Sequence, residues 1–127
     1  MKIVILDSSS TVRSKIEDLL NEMNFDNLDT NHFDNGHDAL DFIDEYSVDL
    51  IFSSIELNEM DGATFIDHIL RRNPNLVSHL FIVTSHKDGE QLAEVKEVGA
   101  KRFIHKPINE EYFKHFIIPE IDKIMNR

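Results

Sequence analysis

Five short apolar runs, separated by amphipathic stretches, constrain the fold of this chain more than anything else in it. They cover residues 2–6, 28–33, 49–53, 79–84 and 102–105. Such alternation implies a parallel α/β sheet with helices on both faces. The first, third and fourth runs are rich in Ile, Val, Leu and Phe, as central strands buried on both sides require. The second, Leu28-Asp-Thr-Asn-His-Phe33, is polar and reads as an edge strand.

The intervening stretches carry helical periodicity. Val12, Ile16, Leu19, Leu20 and Met23 fall on one helical face, with Ser8, Ser9 and Ser10 as candidate N-caps. Ala39, Leu40, Phe42, Ile43 and Tyr46 repeat the pattern after Asn35-Gly36, and Ala63, Phe65, Ile66, Ile69 and Leu70 do so before Asn73-Pro74. Leu92, Val95 and Val98 form a thinner stripe closed by Gly99. The last helix, over residues 112–125, has apolar residues around far more than the roughly 100° stripe a surface helix needs. Pro119 lies in its middle, where the missing N–H is expected to kink or split it. A kink turns both apolar faces inward. Without one, part of the stripe is left for a partner or a second copy of the chain. No linker, repeat or low-complexity segment appears, so residues 1–127 are expected to form a single domain.

Composition narrows the function. A length of 127 residues suits one core. A net charge of −11 repels nucleic acid and anionic membranes and favours partners with basic patches. The absence of cysteine excludes disulfides and thiol catalysis. No apolar run approaches the roughly 20 residues of a membrane span, and Met1-Lys-Ile-Val-Ile-Leu-Asp7 is too short an apolar start for a signal peptide. A cytoplasmic protein is expected, with neither nucleic acid nor membrane as partner.

Asp49-Leu-Ile-Phe-Ser-Ser-Ile-Glu-Leu-Asn-Glu-Met-Asp-Gly62 reads as a buried strand that stops abruptly in a polar loop. In a parallel sheet such strand ends are where ligands bind. Around it, in order, lie Val4-Ile-Leu-Asp7, Asp34-Asn-Gly-His-Asp-Ala-Leu40, Phe81-Ile-Val-Thr-Ser85, Val98-Gly-Ala100 and His105-Lys-Pro107. Together, at these spacings, they resemble the response-regulator receiver domain, the phospho-accepting module of two-component signalling. The resemblance covers essentially the whole chain. It implies a doubly wound, flavodoxin-like (βα)5 fold with a five-stranded parallel sheet of order 2-1-3-4-5. Asp7, Ser54, Thr84 and Lys106 then converge at one edge.

The resemblance also assigns roles, and there this chain departs from it. The position of Ser54 is, in the family, the aspartate that takes a phosphoryl group from a histidine kinase. Asp7 is similar to one of two adjacent acids that hold Mg²⁺, and its partner position is Ser8. Glu56 falls where the family uses a backbone carbonyl as a metal ligand. Thr84 is similar to the hydroxyl that bonds the phosphoryl group, Lys106 to the cation that pairs with it, and Phe103 to the switch aromatic. Lys106–Pro107 matches a bond that is cis in many relatives. Mg²⁺ prefers carboxylates, waters and substrate phosphates. With two of three acids replaced, no cofactor is expected beyond weak Mg²⁺ at Asp7, unless the Glu56 side chain turns inward. A serine hydroxyl needs an adjacent base to act as a nucleophile. Asp7 is the candidate, but Lys106 is expected to pair with it. The seven histidines are scattered, without paired-ligand spacing.

Three readings follow. The first is a stand-alone, phosphorylation-independent interaction module. With no output domain after Arg127, it is expected to act by binding a histidine kinase or a downstream target. The resemblance places that contact on helix 4, strand 5 and helix 5, over residues 88–98, 102–105 and 110–118, and a homodimer is the other candidate there. The second keeps phosphotransfer and Mg²⁺ binding, through Ser54 or a nearby acid such as Glu56. The third, an enzyme using the strand-end cleft, lacks a nucleophile–base pair, a glycine-rich phosphate loop and a metal cluster.

Overall fold

The computed structural model describes residues 1–126. Strands β1 (Lys2–Leu6), β2 (Asp29–Phe33), β3 (Leu50–Ser53), β4 (Leu80–Thr84) and β5 (Phe103–His105) alternate with helices α1 (Ser10–Asn21), α2 (Gly36–Glu45), α3 (Gly62–Arg72), α4 (Glu90–Glu97) and α5 (Glu110–Met125). A 3-10 turn over Pro74–His79 leads into β4. The strands are all parallel, in the order β2-β1-β3-β4-β5.

The period-2 alternation of the strands sorts the core into two layers. Ile3, Ile5, Leu50, Phe52, Phe81, Val83 and Ile104 face α1 and α5, where they meet Ile16, Leu19, Leu20, Phe113, Ile117 and Ile121. Val4, Leu6, Ile51, Leu80 and Ile82 face the other side and pack on Ala39, Phe65, Ile66, Ile69, Leu92 and Val95. Sealed on both faces, β1, β3 and β4 need continuous apolar sequences. Polar β2 keeps exposed positions as the edge strand. The Phe52 ring lies 5.7 Å from both Phe81 and Phe113. Aromatic pairs of this kind add about 0.5–1.5 kcal/mol each beyond their buried area. They hold the two strands that carry Ser54 and Thr84 in fixed relation.

β1 begins where expected and the other four strands one residue later. Asp49 accepts the Lys2 N–H on its side chain, at 2.8 Å, and its carbonyl meets His79 Nδ1, also at 2.8 Å. These two residues tie strand entrances together, and Asp49 N also donates to Lys2 O at 2.8 Å. Among the serine candidates, Ser9 caps α1, its Oγ accepting from Val12 N at 3.3 Å.

Pro119 does not split the last helix: α5 runs unbroken over Glu110–Met125, with Pro119 on the exposed side. Proline removes one hydrogen bond there, while buried Ile117 and Ile121 clamp the turns on either side. Most of the broad apolar stripe is accommodated by packing. Phe116 and Ile124 are partly buried, and only Tyr112 and Met125, at 50% and 40% exposure, stand well out from it.

The edge strand is also held by charge. The Glu17 carboxylate of α1 accepts from the Thr30 hydroxyl and meets His32 Nε2 at 2.8 Å. The hydrogen bond from Thr30, then that from His32, holds the Glu17 carboxyl below the usual glutamate range. A depressed carboxylate contributes stability that is complete above its unfolded value and is lost as pH falls through the lower folded value. Glu17→Gln is therefore expected to lower the urea midpoint at neutral pH and to flatten the decline on acidification. Equal midpoints for the two proteins at neutral pH would show that the tie contributes nothing.

Candidate functional site

The carboxyl ends of four strands lie side by side, and the ladder continues one residue past three of them. Asp7 N bonds Phe33 O at 3.1 Å, Ser54 N bonds Leu6 O at 2.9 Å, and Lys106 N bonds Thr84 O at 2.8 Å. These bonds bring Asp7, Ser54, Thr84 and Lys106 to one edge of the sheet. Lys106 follows β5 and Asp7 follows β1, yet Lys106 Nζ sits 2.8 Å from Asp7 Oδ2. The strand order requires the lysine side chain to cross over the ends of β4 and β3, above Thr84 and Ser54.

Both oxygens of Asp7 are in use. Oδ2 takes the lysine and Oδ1 accepts from Ser9 N at 2.9 Å. With only 3% of the residue exposed, this pair is largely withdrawn from water on the aspartate side. Ser8, next along the chain, is exposed.

Ser54 is 6% exposed, and its Oγ makes no hydrogen bond among the described residues. Neighbouring Ser53 is fully buried and turns its hydroxyl onto the Ser54 carbonyl at 2.9 Å. Thr84 Oγ1 accepts from His86 N at 3.0 Å. Glu56 does not turn inward. Its side chain is 67% exposed and meets His86 Nε2 at 2.7 Å, joining the β3–α3 and β4–α4 loops at the rim. The geometry of the loop explains this: the residues from Glu56 to Asp61 swing outward before Gly62 N returns to Ile55 O at 2.9 Å.

Phe103 lies away from this edge. It is partly buried against the α2–α4 layer, with Lys96 Nζ 5.4 Å from its ring centroid. The Lys106–Pro107 bond is cis. Among the described residues, no group of three or more His, Asp or Glu side chains is placed to hold a metal.

Sequence reasoning missed Arg13. Its Nη1 donates to the Asp7 carbonyl at 2.5 Å, and its Nε is buried without a hydrogen-bond partner. A signal was available: a cation in the opening turn of a helix opposes the helix dipole. A residue placed against a local preference has been placed for something beyond it.

The family described as "Response regulator receiver domain" matches residues 3–117. The chain is 29% identical over 129 residues to the chemotaxis protein CheY-3 of Vibrio cholerae, covering 100% of this chain and 93% of that protein. It is 31% identical over 107 residues to a protein-glutamate methylesterase/protein-glutamine glutaminase of Archaeoglobus fulgidus, covering 84% of this chain but only 30% of that longer protein. The structure of a two-component response regulator from Clostridium difficile superposes with a TM-score of 0.80 at 23% identity, covering 100% of this chain and 99% of that one.

Proposed function

We propose that this chain, which belongs to the response regulator receiver domain family, signals by binding a partner and not by carrying an aspartyl phosphate. Its place in two-component signalling follows from the family. Receiver domains are signalling modules. The observation that carries our reading is the hydroxyl of Ser54 at the acceptor position, with no base free beside it.

A serine oxygen attacks phosphorus only if something takes its proton. The Asp7 carboxylate is engaged at both oxygens, and the Glu56 carboxylate is held at the rim by His86. The same occupancy argues against the metal. Mg²⁺ needs near-octahedral oxygen ligands, with one or two carboxylates plus substrate phosphates. Here the one carboxylate already carries a bond on each oxygen, and the other two positions are the hydroxyls of Ser8 and Ser54. The residues do not fit a Mg²⁺ ion, and no phosphoryl-transfer step is routed through one.

The partner would be a histidine kinase or a downstream target, taken up by α4, β5 and α5. What supports this is the exposed Tyr112 ring, stacked on Phe116 at 5.8 Å, which gives that face an apolar anchor. Rigid, half-exposed aromatics are preferred anchors at interfaces.

Intact mass after incubation with Mg²⁺ and a small acyl-phosphate donor tests the reading. The natural chain is expected to keep its mass, while the Ser54→Asp, Ser8→Asp double variant gains a phosphoryl group. A phosphoryl increment on the natural chain would overturn it in favour of phosphotransfer through Ser54, Glu56 or Asp7.

A further inference from the structure

α2 ends at Glu45, before β3 begins, and α3 ends at Arg72, before β4 begins. Both ends therefore lie at the edge where strands start, opposite Ser54. Between them is a cleft of about 340 Å³. Buried Ile69 and Leu76 give it an apolar floor, and the Tyr46 ring, 44% exposed, forms a wall.

The charges around this cleft run against local preference. The last helical bond of α2 runs from Tyr46 N to Phe42 O at 2.9 Å, so the carbonyls of residues 43–45 form the helix's open, negative end. Cations are favoured in such a turn. α3 obeys, with Arg71 and Arg72 in its last turn. The last turn of α2 has no basic residue and carries Asp44 and Glu45 instead.

Two of the chain's own cations answer this from outside α2. Arg72 Nη1 lies 2.7 Å from Asp44 Oδ1, and Lys2 Nζ lies 5.2 Å from the Tyr46 ring centroid. They leave acceptors over. Asp44 Oδ2 has His68 Nε2 at 3.7 Å, without a hydrogen bond. Glu45 has no partner among the described residues. The Arg72 side chain keeps 60% exposure, and an exposed pair of that kind is weak enough for an incoming cation to displace.

We propose that this cleft receives an arginine side chain of a protein partner. The stem lies on Ile69 and Leu76, beside the Tyr46 ring, as long basic side chains lie on apolar surface. The planar guanidinium meets the Asp44 and Glu45 carboxylates and the open end of α2. Charge selects the occupant. With 24 acids against 13 Lys and Arg, the chain repels a second copy of itself and attracts a basic segment. Arg72, already seated on Asp44, shows that the rim accepts a guanidinium. The contact is separate from α4, β5 and α5 and involves no chemistry at Ser54.

The test is a titration of the isotope-labelled chain with the capped peptide acetyl-leucyl-arginyl-leucinamide, and with the same peptide carrying neutral citrulline for arginine. Saturable amide shifts at residues 43–48 and 69–73 are expected with the arginine peptide alone. Asp44→Asn is expected to weaken the response roughly tenfold. Arg72→Gln removes the internal competitor and is expected to strengthen it roughly threefold. Arg71→Gln removes the same charge one residue away, where the guanidinium pairs with Asp67 at 2.8 Å, and is expected to change it less than about twofold. No saturable shift at those amides, or an equal response to the citrulline peptide, would overturn the proposal. So would equal gains in the two arginine variants, which would reduce the effect to overall charge. Shifts at the same amides on concentrating the chain alone would assign the cleft to a second copy, and saturation by agmatine but not by the peptide to a small amine. Either result also overturns it. The phosphoryl-mass experiment reads the other edge of the sheet, so the two readings fail independently.

Discussion

Lys106→Met is expected to destabilise the protein by about 3 kcal/mol, the low end of the cost of stripping one partner from a buried ion pair. The low end applies because the lysine side chain keeps 24% exposure while that of Asp7 keeps 4%. Without the ammonium, the Asp7 carboxylate retains, among the described residues, only Ser9 N–H as a direct donor at its side chain. The penalty would therefore be that of a poorly solvated charge, and removing the charge should relieve it. Asp7→Asn keeps an acceptor for Ser9 N, so the double variant Asp7→Asn, Lys106→Met is expected to recover more than half of the loss. Urea denaturation of the four proteins in the cycle gives both quantities. A loss below about 1 kcal/mol for Lys106→Met, typical of exposed pairs, with no recovery in the double variant, would mean that water reaches the pair.

Gly62→Ala should cost about as much, for a different reason. A Cβ at position 62 would lie 2.5 Å from the Ile55 carbonyl oxygen and 2.9 Å from Ile55 Cα. Both are backbone atoms of the segment leaving Ser54, and Gly62 N donates to that same carbonyl. Neither side can yield without breaking the bond that closes the loop and starts α3. Overpacking against atoms that cannot move costs about 1–3 kcal/mol, and the upper end applies here. Gly36→Ala is the control. Its Cβ would meet the sulfur of Met60 at 3.0 Å, on a flexible side chain, so a loss under about 1 kcal/mol is expected. Thermal or urea midpoints distinguish the two. Equal losses would show that the loop accommodates Gly62→Ala by moving as a unit.

Much of the fold was legible because its signals are local. Continuous apolar runs marked β1, β3 and β4 as doubly buried, and the polar run of residues 28–33 marked β2 as the edge. Asn35 and Asp61 cap α2 and α3 directly before their apolar stripes. Pro119 left a kink or a split open because local propensity describes a helix in isolation, and the packed turns around it exclude the split. Glu56 could not be placed from sequence, since its direction depends on a loop whose return point is Gly62 and on a histidine 30 residues away.

What the sequence alone determined is the periodicity of the elements and the chemistry at each strand end, including the hydroxyls at positions 8 and 54. Both are written in neighbouring residues, and hydrophobic alternation needs only a short window to register. Beyond the expected pair of Lys106 with Asp7, tertiary structure decided which charges meet: Arg13 on the carbonyl of the same aspartate, and Glu56 with His86. Pairings of that kind depend on strand order and on which way a long side chain turns once the sheet has formed. No local pattern in the chain carries that information.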